Sequence, residues 1–344
     1  VNKKHLFLSV VFIVLITMIL AACGGGKNTE PEKEEGNGDN VSSGNDGNEE
    51  KNYGIEFLSL ATGGTGGTYY PLGGSMASII QDATGIDANA TTSNASAENM
   101  TLLKKKEVEV AFTQTDIATY ANEGTMMFEG EKIENVRGLG TLYPETIQIV
   151  TIADTGINSV EDLKGKAVSI GEAGSGTRAN AEQILEMYGM TVDDIKARNL
   201  SFDDSSTGIQ DGTIDAAFIT AGTPTGAVEG LAATKDVKIL PLDNDKIEAL
   251  IEKYPYYAKE TIPAGTYKAE NDIETVAVQA MLVVREDLSE DLVYDITKAI
   301  FENTDKIGHA KSELIDAEKA LNGMGIEIHP GAKKYYDEKG ISKE

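Results

Sequence analysis

The chain is poor in most of the residues on which reactive sites are built. Among 344 residues there are one Cys, three His and no Trp, and 30 Lys+Arg stand against 56 Asp+Glu, a formal net charge of −26. A single Cys excludes an intramolecular disulfide framework and any Cys-based zinc site. With His only at His5, His309 and His329, a multi-histidine metal centre is not expected, and neither is any cofactor. The missing basic surplus leaves nothing to neutralise phosphates, which argues against nucleic acid as a partner. What is plentiful is apolar content, 40% of the chain, and glycine, 36 residues. That supports real cores, and the length suits two domains or one large two-lobed unit.

Residues 1–52 differ from the rest. Lys3, Lys4 and His5 form a basic start, and Leu6 to Leu20 is apolar except for Ser9 and Thr17. The run is short for a membrane span, which needs about 20 residues, and suits an export signal. It ends in Leu20-Ala21-Ala22-Cys23, which resembles a bacterial lipobox. The resemblance implies a signal peptide over 1–22, cleavage before Cys23, and lipid on that Cys holding the protein to the outer face of the cell membrane. Residues 23–52 are rich in Gly, Asn, Ser, Asp and Glu and have one large aliphatic side chain, Val41. Such a segment cannot offset its ordering entropy and is expected to be a tether, with a reach of about 30 Å. The leader carries +2 and the tether −5, leaving −23 on residues 53–344. The acidity therefore belongs to the folded body.

That body alternates strands and helices. Ile55–Ala61 is an apolar strand running into the loop Thr62–Thr68, and a helix is expected over Pro71–Ala83 with Pro71 in its first turn. Further strands are expected at Ala88–Thr92, Val108–Thr113, Thr146–Ala153, Ala167–Ile170, Ala216–Thr220, Val237–Leu240 and Ala277–Val284. Helices are expected from Ser96, near Ile117–Ala121, over Thr177–Tyr188, and at Leu292–Lys306 and Ala310–Leu321. The alternation implies an α/β fold with mostly parallel sheets covered on both faces.

Two glycine-rich strand-to-helix junctions carry the chemistry. They are Gly63-Gly64-Thr65-Gly66-Gly67-Thr68-Tyr69-Tyr70 and Gly171-Glu172-Ala173-Gly174-Ser175-Gly176-Thr177-Arg178. Glycine lets backbone N–H groups approach a ligand, and the helix that follows adds about half a positive charge at its N-terminus. Each junction is thus suited to a carboxylate or phosphate. One in each half of the chain suggests a ligand held between two lobes, at the carboxyl ends of strands. Neither junction has the Gly-Lys-Ser/Thr ending of a nucleotide loop, and the pattern Gly174-x-Gly176-x-x-Ala179 has no acidic residue clearly placed to hold a ribose.

Several motifs in order then carry a family resemblance: GGTGGTYYPLG at 63–73, TTSNASAENMTLL at 91–103, AFTQTD at 111–116, LYPETIQIV at 142–150, DLKGKAVSIGEAGSGT at 162–177, DAAFITAGTPT at 215–225 and HPGAKKYY at 329–336. The body resembles a TAXI-type solute receptor of a TRAP (tripartite ATP-independent periplasmic) transporter. The resemblance implies a type II periplasmic-binding-protein fold, two α/β lobes joined by two crossing strands with the ligand in the cleft. It also implies capture of a small organic anion, such as glutamate, a related amino acid or a dicarboxylate, and delivery to membrane permease subunits. The crossing strands are expected at Thr146–Ala153 and Ala277–Val284. Lobe 1 then comprises 53–150 with 273–344, and lobe 2 comprises 151–272. The receptor is expected to be monomeric.

On this reading Gly66, Gly67, Thr68, Tyr69 and Tyr70 line the cleft from lobe 1, with only one of the two tyrosines facing the ligand. Ser93 and Asn94 either donate to the ligand or cap the helix that follows. Gln114 ends a strand as a neutral donor and acceptor, whereas Asp116, the nearest acid, either binds an ammonium or, as the preferred reading, caps a helix. Tyr143 and Glu145 stand beside the hinge, where Glu145 anchors closure or meets a ligand amine. From lobe 2, Gly174, Ser175, Gly176 and Thr177 are expected to clamp a carboxylate. Arg178 either joins them or lies solvated in the first turn. Thr220 to Pro224, with Gly222, close the pocket from below. His329 reads as packing. No Gly-x-Ser-x-Gly elbow, mature Cys nucleophile or histidine base is present, so an exported hydrolase or transferase is disfavoured. A receptor of the same fold serving a membrane sensor is not separable from a transport receptor at this level.

Overall fold

The computed structural model describes residues 51–343. The signal segment, Cys23 and the tether up to residue 50 lie outside the described residues. The chain enters with Lys51 and Tyr53 both held on Asp295, at 2.8 and 2.6 Å.

The first half of the fold contains β1 (Phe57–Ala61), α1 (Tyr69–Thr84), β2 (Asp87–Thr91), α2 (Ser96–Lys104), β3 (Val110–Gln114), α3 (Thr115–Glu123) and the long β4 (Val136–Ile152). The second half adds β5 (Ala167–Ser169), α4 (Gly176–Met187), β6 (Lys196–Arg198), α5 (Phe202–Asp211), β7 (Ala216–Ala221), α6 (Gly226–Thr234), β8 (Val237–Leu240), α7 (Asn244–Lys253) and β9 (Ala258–Ile262). The chain returns along β10 (Ile273–Arg285) and finishes with α8 (Glu290–Phe301) and α9 (Pro330–Lys339).

One sheet in the order β2-β1-β3-β10-β4-β7-β5-β6 runs through both halves, with β8 on β4 and β9 on β10. The β1–β2, β1–β3, β5–β6 and β5–β7 pairs are parallel, as the strand–helix alternation requires. Every strand ladder made by β4 and β10 is antiparallel, apart from an isolated parallel bridge between Gly138 and Ile328, so the sheet is mixed rather than mostly parallel at its centre. These two strands, of 17 and 13 residues, are the connection between the halves. Pro144 lies inside β4, where it cannot donate to the ladder, and the β4–β10 register slips between Gln279 and Met281 beside it.

Each half has its own core on both faces of the sheet. In the first half, α1, α8 and α9 cover one face through Leu72, Met76, Ile80, Leu292, Ile296, Ile300 and Tyr336 against Leu58, Leu60, Phe112 and Leu282. On the other face, Met100 and Leu103 of α2 and Ile117 of α3 meet Ala111, Met281 and Val283. The second half repeats the scheme. Ile184, Leu185 and Leu250 lie over Ile147, Phe218 and Val278, and Ile209, Val228 and Leu231 lie over Val150 and Ile219. Each such Leu or Ile contributes about 1.5–3 kcal/mol by leaving water. β3 reads VAFTQ and is buried at all five positions, as an interior strand covered on both faces must be.

Two helix expectations change. Leu292–Lys306 stops as an α-helix at Phe301, and Ala310–Leu321 is no α-helix but a 3₁₀ turn at Ala310–Leu314 followed by irregular chain. The apolar residues of that stretch do face the core, Ile315 and Ala320 among them, but a spacing that fits a helix does not compel one. Among the described residues, no helix is long and apolar enough to cross a membrane.

Candidate functional site

The carboxyl ends of β1, β2, β3, β5 and β7 converge where the two halves meet, and a cavity of about 40 Å³ lies between them. From the first half it is lined by Gly63, Gly64, Gly67, Thr68 and Tyr69 of the β1–α1 junction, Ala95 and Ser96 at the start of α2, Gln114 ending β3, and Glu145 of β4. From the second half come Glu172, Ser175, Gly176 and Thr177 of the β5–α4 junction, Phe202 opening α5, and Thr220 and Ala221 ending β7.

The walls are fastened to each other by their backbones. The carbonyl of Gly174 accepts from Ala97 N and Glu98 N, both at 3.0 Å, and the carbonyl of Gly66 accepts from Ala227 N at 3.1 Å. Thr68 Oγ1 donates to the carbonyl of Gly222 at 3.3 Å, and Thr65 Oγ1 to Asp203 Oδ2 at 2.9 Å. Gly176 lies against Gln114 so closely that a Cβ there would stand 1.8 Å from Gln114 Oε1. Behind the cavity, Asn180 of α4 donates to Asp116 Oδ2 (3.2 Å) and to the Tyr257 hydroxyl (2.8 Å).

Two kinds of group face this space. Helices α1, α2 and α4 all begin at it, so the positive ends of three helix dipoles meet there. The Ala97 and Glu98 N–H groups of α2 are taken by the Gly174 carbonyl, and those of Gly176 and Thr177 at the start of α4 have no helical acceptor. Opposite in sign is Glu145, 2% exposed, whose Oε2 accepts from the Tyr69 hydroxyl at 2.7 Å. Tyr69 is fixed in turn by stacking on Phe112, ring centres 4.8 Å apart. Burial drives the Glu145 carboxyl up to about 8, against the pull of Tyr69 and with Asp116 adding repulsion. Burial likewise raises Asp116 to about 6 and holds Tyr69 well above its ordinary range. Glu172, at the edge of the cavity, is raised by burial and by Glu98, Asp204 and Asp203 around it. No Lys, Arg or His lines the cavity, and among the described residues no cluster of three His, Cys, Asp or Glu is placed to hold a metal.

Of the residues expected from the sequence, Gly67, Thr68, Tyr69, Gln114, Ser175, Gly176 and Thr177 come together on the cavity. The others do not. Gly66 and Gly174 use their carbonyls to join the halves instead. Tyr70, 38% exposed, points to solvent. Ser93 is spent on Asn99 Oδ1 and the carbonyl of Thr62, and the Asn94 amide donates to Glu98. Tyr143 is sealed in the core with its hydroxyl unpartnered. Arg178 pairs with Glu182 one turn on, at 3.0 Å, and lines a groove outside the cavity. Gly222 lies behind the wall, where its carbonyl accepts from Thr68 and Thr225, and Pro224 is exposed beyond it. Asp116, read as a cap, instead lies buried in the first turn of α3 and accepts from Asn180.

Ser96, Glu172 and Phe202 are not singled out by the sequence, which places Glu145 beside the hinge, anchoring closure or meeting a ligand amine. For Glu145 a signal existed: a lone carboxylate inside the apolar strand that links the halves. For Phe202 there was none, because nothing local distinguishes a helix start that reaches a cleft.

Residues 60–340 match the model of the NMT1-like family. The chain belongs to that family. Among solved structures, a protein of Bordetella bronchiseptica RB50 superposes with a TM-score of 0.55 at 13% identity, over 84% of this chain and 100% of its own. PhnD1 from Prochlorococcus marinus (MIT 9301), in complex with methylphosphonate, superposes with a TM-score of 0.50 at 12% identity, over 83% of this chain and 97% of its own. At such identities the likeness establishes the fold, and this NMT1-like protein has the type II fold of periplasmic solute-binding proteins.

Proposed function

We propose that this NMT1-like protein is the extracytoplasmic solute-binding subunit of a TRAP transporter. It captures a small organic anion, such as glutamate, a related amino acid or a dicarboxylate, and hands it unchanged to membrane permease subunits. The observation that carries a binding role is the cavity itself. It is built from both halves, which only two long strands connect, and the dipoles of three helices meet there. A ligand touching both walls favours the shut arrangement over an open one, and those differential contacts are what shift the population. The motifs of the β1–α1 and β5–α4 junctions support the TAXI-type assignment. Leu20-Ala21-Ala22-Cys23 supports lipid attachment through Cys23, which would keep the receptor near its permease.

The test is a thermal-shift panel of amino acids, mono- and dicarboxylates and, in view of the methylphosphonate held by PhnD1, phosphonates. A ligand at a hundred times its Kd stabilises by about 2.7 kcal/mol, so Tm should rise by several degrees for at least one carboxylate. A flat response to every carboxylate would overturn the ligand class. A response to phosphonates alone would replace it.

A further inference from the structure

The register of the central strands brings three acceptors to one face of the sheet. Gln114 pairs with Ala280, Glu145 with Val278, and Thr220 with Ile147, two residues along from Glu145. Directly opposed residues and those two apart share a face, so Gln114, Glu145 and Thr220 converge on the same floor, and all three line the cavity. Their polar atoms are underused. Gln114 Oε1 and Thr220 Oγ1 are buried without a hydrogen-bond partner, on side chains 2% and 5% exposed. Glu145 accepts from the Tyr69 hydroxyl and lies against the Gln114 amide, and no Lys, Arg or His lines the cavity to pair with it. Native folds rarely leave buried polar atoms unmatched, and clustered exceptions mark a missing partner. The partner that matches a carboxylate, an amide oxygen and a hydroxyl is a group with several N–H donors and a positive charge.

The opposite wall asks for the other sign. Gly176 and Thr177, the first residues of α4, present N–H groups that the helix cannot use. Ser175 lines the cavity beside them, and Ser96 lines it from the start of α2. A small molecule with a carboxylate at one end and an ammonium next to it satisfies both walls at once.

Resting on the receptor reading above, we infer that Glu145 is the specificity-determining residue of the cleft, admitting an α-amino acid and rejecting the same carbon skeleton without its amine. Shutting the cleft over an ammonium pairs the buried carboxylate. Shutting it over a desamino acid leaves Glu145 without that partner, so it must either take up a proton or be buried charged beside Asp116, and either course costs free energy that an ammonium spares. Of the ligand types named above, this narrows the choice to amino acids, with glutarate and succinate poorer ligands despite their fit to helix N-termini.

The test is calorimetric titration of the protein with matched pairs: L-glutamate and glutarate, L-aspartate and succinate, L-alanine and propionate, L-valine and isovalerate. In the pairs that bind, the amine-bearing member is expected to be at least about 100-fold tighter, the scale on which a site built for a polar group rejects the analogue lacking it. In E145Q, which keeps the shape and removes the charge, the ratio should shrink below about tenfold. A desamino acid binding as tightly as its amino acid overturns the inference and leaves the receptor standing. So does an E145Q variant that melts normally and keeps the wild-type ratio. If E145Q does not fold, the wild-type ratio alone decides. If no member of any pair binds, the carboxylate-receptor reading falls and this inference with it.

Discussion

The two glycine-rich junctions look alike in sequence and are built for different reasons. In the β1–α1 junction, Gly63, Gly64, Gly66 and Gly67 all have ordinary negative φ. What they require is space. A Cβ on Gly66 would meet the Asp203 carboxylate at 2.3 Å, and one on Gly67 would touch Phe202 at 3.4 Å. In the β5–α4 junction, Gly171 and Gly174 sit at φ +83° and +90°, which L side chains adopt only under strain. The caps differ in the same way. Ser175 accepts from the Arg178 amide and so closes its own helix, whereas Thr68 caps nothing and gives its hydroxyl to Gly222 across the cleft. One junction is therefore a rigid cradle, held by its own turn. The other, though closed by a bond from Gly67 N to the Gly64 carbonyl at 3.2 Å, takes its shape from the wall it presses against.

The strongest way to break this comparison is at Gly171. An Ala there combines left-handed strain with approaches of 2.7 Å to Ser175 Oγ and 2.8 Å to Thr177 Cβ. We expect a loss of about 2–3 kcal/mol, seen as a fall in Tm of roughly 5–10 °C in thermal denaturation. An unchanged Tm would remove the rigid-cradle account. Gly176→Ala should act differently. Its Cβ intrudes on Gln114 of the opposite wall, so the cost falls on closure. Ligand affinity should drop about 10- to 100-fold by calorimetry while the unliganded Tm stays within a few degrees.

The carboxylates of the site extend the contrast to pH. Glu145, on the crossing strand, has a folded-state value of about 8 against an ordinary 4.5. The folded protein thus holds a proton that the unfolded chain releases. This group's stabilisation is fully present below about pH 4.5 and is lost as pH rises through about 8. Asp116, raised to about 6, works in the same sense at lower pH. Unliganded protein should therefore lose Tm across this range, and E145Q should flatten the profile more than E172Q, because Glu172 stands nearer solvent. Opening of the cleft wets Glu145 and keeps the slope below the effect at Gly171. A profile for E145Q as steep as the wild type would show that Glu145 is not buried in solution.

The smallest effects belong to the first junction. Asp203 is exposed and its carboxylate can swing away, so Gly66→Ala should change stability by less than about 0.5 kcal/mol. Thr65→Ala removes an exposed cross-cleft hydrogen bond and should weaken ligand binding by less than about fivefold. A large loss at either would mean that this turn is as rigid as its counterpart.

Much of the architecture was legible in local patterns. The continuous apolar strands β3 and β10, the strand–loop–helix alternation and the glycine junctions all follow from a period of two, a period near 3.6 and the special conformations of glycine. The site was legible where it belongs to a junction, as at Thr68, Tyr69 and Ser175–Thr177. It was not legible where a residue's role depends on register. Tyr143 and Glu145 are two apart on one face of β4, yet Tyr143 is sealed in the core and Glu145 lines the cavity. Arg178 shows the converse: sequence put a cation beside the anion-binding turn, and the helical spacing to Glu182 took it out of the cleft.

By itself, then, the sequence determined that this is an acidic α/β body with glycine-rich strand-to-helix turns and few Cys and His residues, because those properties are set by composition and by neighbours along the chain. The tertiary structure alone decided that the buried carboxyl of Glu145, hydrogen-bonded to Tyr69 and with no cation in the cavity lining, shares the cleft with three helix N-termini. Sheet register and closure brought Gln114, Glu145 and Gly176 together from distant parts of the chain. The charge balance of a cavity is a property of that meeting, and no one segment carries it.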